Sequence, residues 1–351
     1  MAARDADSAA MLMRAKELFD PFLALLIATV LAATIVPARG WGVPLFGWLA
    51  DLAILLLFFL HGAKLSRAAI VAGASKWRLH LAVLATSFIL YPLLGLGAQA
   101  IAWRVAPAMA AGLLYLSLLP STVQSSIAFT SIAGGDVPAA IGSASLSNLL
   151  GIVVTPILAH LLMGAGGQSA SAALDSIVKV AGQLLVPFAA GHFARPLVGG
   201  FVERHRRLVF RVDRGSILLL VYTAFSAAVV GGIWHRTDIG DLLFALLLGG
   251  AMLAIVLGLT LLTARRLGWS RQDEIVLRFC GSKKSLVSGV PLAAAIFPAA
   301  QVGMLLLPVM IFHQMQLMVC SVLARKYAGA SQRSADGSGH TDPLAAKPEP
   351  G

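Results

Sequence analysis

Segments of about 20 apolar residues recur along most of this chain, the length a helix needs to cross a hydrocarbon core. Ten are legible, at about 18–36, 43–62, 77–102, 107–133, 137–163, 173–197, 214–234, 239–264, 273–298 and 300–325. A water-soluble interior does not absorb them. Of the 351 residues, 58% are hydrophobic and 12% charged, whereas a soluble domain carries about 25% charged residues. Lipid must be the solvent for much of the surface, and the fold class that follows is an all-α polytopic membrane protein.

The formal net charge of +11 would suggest nucleic acid in a soluble chain. Its placement argues against that partner and for membrane lipid, because the basic residues cluster in alternate loops. Lys64, Arg67, Lys76 and Arg78 follow the second span; Arg195, Arg204, Arg206, Arg207, Arg211 and Arg214 follow the sixth; Arg265, Arg266 and Arg271 follow the eighth. The opposite loops hold little more than Arg39, Arg104 and Arg236. By the positive-inside bias both termini are expected in the cytoplasm, and the membrane is expected to be the plasma (inner) membrane. Residues 1–17 hold both charge signs and the first apolar run is too long for a signal-peptide core, so the first span is expected to be retained. The basic stretch 199–213 is expected to form a loop with a short surface helix on anionic headgroups. Residues 329–351, nearly free of large apolar side chains, read as a disordered cytoplasmic tail.

Five spans precede a Gly/Ser/Ala-rich connection at 164–172 and five follow it, so the halves 18–163 and 173–328 enter the membrane with opposite orientation. Inverted repeats of this kind mark transporters, and the pointer to their site is a broken segment at the same place in each half. The fourth span carries Leu119-Pro120-Ser121-Thr122-Val123-Gln124-Ser125-Ser126. The ninth carries Gly281-Ser282-Lys283-Lys284-Ser285-Leu286-Val287-Ser288-Gly289. Proline removes a backbone donor and glycine loosens a helix. Freed carbonyls are tolerated at membrane depth only where the break lines a cavity or is buried in protein. A lysine there costs roughly 2.5–3.5 kcal/mol on insertion scales, so Lys283 and Lys284 call for a cavity or a partner. The bland alternative for either segment is a kink satisfied by serine back-bonding.

Polar residues recur at matching depth: Ser143, Ser145, Ser147, Asn148 and Thr155 in the fifth span, and His313, Gln314 and Gln316 in the tenth. Many such residues only join helices; Ser147-Asn148 is the best pair for supplying oxygen ligands. His61, Asp51 and Gln99 read as weaker candidates. Cys280 and Cys320 read as small packing residues, and no metal-binding spacing occurs. No Ser/His or paired-Asp arrangement falls at one depth and no His-Glu-x-x-His is present, so no enzyme is expected. The substrate or ion site assembled from these readings comprises Ser121, Thr122, Gln124, Ser125, Ser126, Ser147, Asn148, Ser282, Lys283, Lys284, Ser285, His313 and Gln314.

The runs from Leu119 to Thr130, from Ser145 to Gly151, and Phe279-Cys-Gly-Ser-Lys-Lys-Ser-Leu resemble the bile acid:sodium symporter superfamily. The closer resemblance is to its sodium–bile acid symporter-like branch, related to the vertebrate solute carrier family 10 member 7. It extends over roughly residues 12–328. It implies ten helices in two inverted five-helix repeats, with a panel domain and a core domain flanking the cavity and unwound fourth and ninth helices crossing. It also implies sodium near the crossing, with Ser125, Ser126, Ser147 and Asn148 at positions of oxygen ligands. The family's acidic position falls at about Phe279, and its glutamine–asparagine pair at about Lys283-Lys284. This sequence thus has two cations where the family has a neutralising carboxylate and amides. An ammonium 4 Å from a monovalent cation repels it by about 4 kcal/mol at an effective dielectric near 20.

The expected activity is secondary transport of an organic anion or similar small solute by alternating access. The lysines would act as counter-charge or proton carrier, or one ammonium would stand where sodium binds. The coupling ion is then sodium, a proton or none, and no other cofactor is called for. The alternative class is a regulatory membrane protein acting through the 199–213 stretch and the tail. No feature selects a particular solute or an oligomeric state.

Overall fold

The computed structural model describes residues 21–64, 76–164 and 170–338, and every regular element among them is helical. In chain order these are α1 (Pro21–Ile35), α2 (Gly42–Lys64), α3 (Trp77–Ala85), a π-helical turn (Thr86–Leu90), α4 (Tyr91–Val105), α5 (Pro107–Leu118), α6 (Val123–Ile132) and α7 (Val137–Met163). Then follow α8 (Ala170–Arg204), α9 (Arg206–Val230), a 3₁₀ turn (Ile233–His235), α10 (Ile239–Arg266), α11 (Arg271–Gly281), α12 (Leu286–Ile296) and α13 (Ala299–Ser338).

Seven helical stretches among the described residues are long and apolar enough to cross a membrane, and an eighth is the pair α5–α6, bent by 67° at its break. Trp41, Trp77 and Trp103, near helix ends, are exposed, as are Leu25, Leu31, Leu55, Leu93 and Leu247 along the helix flanks. Apolar flanks with aromatic ends are the surface lipid requires. This is a multi-pass membrane protein.

Local chemistry explains the boundaries. Asp136 caps α7 by accepting from the Ala139 N–H, Asp238 and Asp241 form a capping box on α10, and Ser270 caps α11. Each satisfies donors that a helix start leaves open. Pro107 opens α5, where its missing N–H is not needed. The stretch 199–213 departs from its expected form: α8 runs to Arg204 and α9 starts at Arg206, so the two helices meet at His205 with no loop. Arginine is a good helix former, and the basic run continues both helices. Similarly α13 continues past residue 329 to Ser338; the remainder of the expected tail, residues 339–351, lies outside the described residues, as do residues 1–20 and 165–169.

The helices pack in two groups. In one, α2 lies along α8, and α9 packs on α1 and α2; in the other, α3 to α7 gather with α10 to α13; α9 also packs on α13 and α8 on α7, which join the two. The α2–α8 contact is close because two glycines face each other's backbone. A Cβ on Gly62 would fall 1.9 Å from the Phe188 carbonyl oxygen, and one on Gly191 would fall 1.9 Å from that of Phe59. Small residues that let backbones approach are how membrane helices associate without a hydrophobic drive.

Candidate functional site

The two broken spans meet at their breaks. In the first, Leu119 to Thr122 are non-helical and separate α5 from α6; in the second, Ser282 to Ser285 separate α11 from α12. They are joined directly, the Ser285 N–H donating to the Pro120 carbonyl at 2.9 Å. Helix ends at this depth leave carbonyls that water cannot reach, so each needs a protein donor. At the end of α5, Leu118 accepts from Thr155 Oγ1 at 2.9 Å, while Ser117 and Leu119 accept from Lys284. At the end of α11, Phe279 accepts from Ser126 Oγ at 3.0 Å, Cys280 from Ser121 Oγ at 2.5 Å and Ser282 from the Tyr91 hydroxyl. Gln316 closes the account by accepting from the Lys284 N–H at 2.8 Å and donating to its carbonyl at 2.7 Å. Thr122 Oγ1 donates to that same carbonyl at 2.9 Å.

The lysines are buried to the last percent and differ in kind. Lys284 Nζ donates to three backbone carbonyls: Ser87 at 2.7 Å, Ser117 at 2.8 Å and Leu119 at 2.7 Å. All three ammonium donors are used, and the Tyr91 ring lies 4.3 Å away. Ser87 belongs to the π-helical turn, so its carbonyl lies outside the regular α-helical ladder. Lys283 Nζ has no hydrogen-bond partner among the described residues. It sits 3.8 Å above the centre of the Phe129 ring and 5.7 Å from that of Phe279.

A cavity of about 370 Å³ lies beside the crossing, between α2, α8 and α9 on one side and α6, α7 and α12 on the other. Thr122, Val123 and Gln124, at the start of α6, line it, as do Ser285, Val287 and Ser288, at the start of α12. Two helix N-termini therefore open on one space, and each carries partial positive charge; at α12 the Ser285 hydroxyl caps the end by accepting from the Ser288 N–H at 3.1 Å. Asn148 also lines it and accepts from Ser288 Oγ at 2.7 Å.

Of the residues expected at the site, Thr122, Gln124, Asn148 and Ser285 line this cavity. Ser125 and His313 line a smaller one of about 80 Å³ next to it, together with Thr122 and Gln124. Ser121, Ser126, Ser147, Ser282 and both lysines line neither and are packed into or around the crossing. Gln314 lines neither. Three of the four oxygens expected around sodium are already engaged, and the fourth, Ser125 Oγ, has no partner among the described residues. Ser147 Oγ accepts from the Ser121 N–H at 3.0 Å, Asn148 is held by Ser288, and Ser126 is turned to Phe279. Phe279 is an uncharged, fully buried side chain, and Lys284 Nζ fills a position among three backbone carbonyls. Sequence reasoning passed over Asp213 altogether and ranked His61 low; both line the cavity with Lys64. An acid inside an arginine-rich run, where Glu203 is the other, was the signal available for Asp213.

The family described as SBF-like CPA transporter matches residues 20–329. "Uncharacterized protein PA2026" of Pseudomonas aeruginosa is 54% identical over 316 residues, covering 90% of this chain and 95% of the relative. "Putative symporter YfeH" of Escherichia coli is 51% identical over 319 residues, with 90% and 95% covered. "Sodium/bile acid cotransporter 7" of Xenopus tropicalis is 26% identical over 311 residues, with 86% and 90% covered.

Proposed function

The chain belongs to the SBF-like CPA transporter family, and on that premise we propose that it is a secondary transporter of a small organic anion. The observation that carries the reading is the cavity of about 370 Å³ onto which the N-termini of α6 and α12 both open. Half-helix N-termini at a break are how a membrane protein offers positive charge without burying side-chain cations. The apolar remainder of the lining, with Phe58, Ile141, Leu149, Ile152, Phe188 and Leu292, suits a solute that is amphipathic as well as anionic.

Alternating access then moves the group α1, α2, α8 and α9 against the rest. Those four are the first two spans of each half, which supports reading 18–163 and 173–328 as inverted repeats. Ten spans follow if α1 and the pair α11–α12 each cross. The basic ends of α2, α8 and α10 face the cytoplasm of a plasma membrane, as do both termini. Coupling differs from what the names of the cotransporter relatives say of those proteins. Lys284 occupies a cation position among three carbonyls, so the crossing works without sodium, as a uniporter or exchanger or with Lys283 carrying a proton. The test is uptake of organic anions into proteoliposomes under separate sodium and pH gradients. Uptake driven by pH or by counter-anion is expected. Sodium-driven uptake left unchanged in Lys283→Ala and Lys284→Ala would overturn the coupling, and no uptake of any anion would overturn the transport.

A further inference from the structure

The lysines of the break are sequestered, so they are not the cations that meet a solute. Among the described residues, the basic side chains that line the main cavity are His61 and Lys64, both in the last turn of α2. Lys64 pairs with Asp213 of α9, 149 residues away. That pair stands at a junction. Lys64, Gln124 and Asp213 line both the main cavity and an outer one of about 320 Å³, whose wall includes Arg195, Glu203 and Arg206. Asp213 and Gln124 also line the small cavity that holds Ser125.

Asp213 is poorly satisfied for a buried acid. It is 9% exposed, and its Oδ1 has no donor among the described residues. The Ser125 hydroxyl, in the first turn of α6 on the same small cavity, is also without a partner there. A buried group left half-bonded costs free energy that a better partner recovers. The surroundings favour an anion: Arg214 lines the small cavity with Asp213, and the α6 and α12 N-termini open beside it. Asp213 is the one carboxylate in the wall of the main cavity among the described residues. It occupies the place an incoming anion would take.

We propose that the Lys64–Asp213 pair is a latch between the outer and inner cavities, and that an anionic solute opens it by replacing Asp213 on Lys64. Lys64 thereby recognises the solute, and the same exchange frees the passage between the two helix groups. The identity of the opener rests on the transport reading; the latch itself rests on the geometry of the pair.

The experiment places a cysteine at Ser145, in the inner cavity wall, and measures its modification by two methanethiosulfonates. One bears an ethylsulfonate and the other an ethyltrimethylammonium group; the chain without the new cysteine gives the background. With the latch intact the sulfonate reacts faster than the cation. In Lys64→Met the sulfonate slows and the cation quickens by about tenfold each, the scale of one unit charge acting over about 12 Å at an effective dielectric near 20, so the preference falls about a hundredfold. In Asp213→Asn both rates rise, the sulfonate more. Lys64→Arg keeps the preference. The double variant Lys64→Met/Asp213→Asn removes both charges of the pair and so avoids leaving the buried Asp213 carboxylate unpaired. It decides the matter if either single variant does not fold: open and unselective supports the latch, and rates and preference equal to the parent overturn it. Proteoliposome uptake separates the two readings. Anion uptake with an unchanged KM in Lys64→Met overturns recognition by Lys64 while transport stands. A working latch in a protein that moves no anion leaves the latch standing and overturns the transport reading.

Discussion

The two breaks at the crossing are built from opposite materials. The first, Leu119 to Thr122, is neutral, and its continuation at Val123 and Gln124 opens on the main cavity. The second, Ser282 to Ser285, carries two lysines and turns both away from it. Lys284 of the charged break satisfies the Ser117 and Leu119 carbonyls that the end of α5 leaves open, while Ser121 and Thr122 of the neutral break donate in return to the carbonyls of Cys280 and Lys284. The lysines therefore complete the first break, and what faces the solute is helix ends and hydroxyls. A pair that looked in sequence like the counter-charge of a ligand is, in its second member, the counter-charge of a helix C-terminus.

The sharpest way to break that comparison is Lys284→Met, which keeps the length and removes the donors. Three buried carbonyls then lose their partner at once. Removing one side of a buried charged network costs about 3–5 kcal/mol, so a large fall in the melting temperature of the detergent-solubilised protein is expected. A melting temperature equal to that of the parent would mean the carbonyls do not need the ammonium. From the other side, Gly151→Ala tests the neutral break. A Cβ there would lie 2.7 Å from the Pro120 Cβ and 2.8 Å from its Cγ. A proline ring has little freedom to give way, and overpacking costs about 1–3 kcal/mol. Melting should fall by less than in Lys284→Met, while uptake by the reconstituted protein is lost because the break itself is displaced. Full activity in Gly151→Ala would show that the break tolerates movement.

Much of this was legible in the sequence. Pro120 and the run from Gly281 to Gly289 marked the breaks, and the structure interrupts the helices at Leu119–Thr122 and Ser282–Ser285. Polarity at the wrong depth is a local signal and survives without coordinates. Partnership is not local. Nothing near Lys284 in the chain announces the carbonyl of Ser87, 197 residues away, and nothing near Lys64 announces Asp213. The misread stretch at 199–213 has a different cause: basic residues at a membrane surface are compatible with loop and helix alike, and the packing of α9 on α1 and α2 decides for helix. Within the expected site, sequence spacing could gather residues at one depth but could not say which side of the crossing each would face.

The second lysine sharpens the comparison by contrast. Lys283→Met removes an ammonium that makes no hydrogen bond among the described residues and only stacks on Phe129. A cation–π contact is worth about 0.5–2 kcal/mol, and a methionine also packs well on a ring. Stability should therefore change by no more than about 1 kcal/mol. If Lys283 carries the proton, the pH-gradient dependence of uptake disappears in this otherwise stable variant. If the dependence persists, Lys283 is a packing residue. Equal destabilisation by Lys283→Met and Lys284→Met would erase the distinction between the two.

The smallest effect lies where the two broken spans are tied at their outer ends. Lys76 bridges Asp136, the cap of α7 just after α6, and Asp273 in the first turn of α11, at 2.7 Å and 2.6 Å. The hydrogen bond to Asp136, then that to Asp273, raises Lys76 above its ordinary 10.5. Desolvation pulls the Asp136 carboxyl up, but the bonds from Lys76 and the Ala139 N–H outweigh it and hold the group below its ordinary 3.8. A depressed carboxylate contributes stability above 3.8 that is lost as pH falls through its lowered folded value. A raised ammonium contributes stability below 10.5 that is lost as pH rises through its raised folded value. The difference in stability between the parent and Lys76→Met should thus be flat between those limits and shrink outside them. The Lys76 side chain is 36% exposed, so solvent screening holds the plateau below about 1 kcal/mol, and high salt should flatten it further. A difference that stays constant down to pH 2 would show that Lys76 acts through packing rather than charge. The tie would then play no part in holding the two breaks in register.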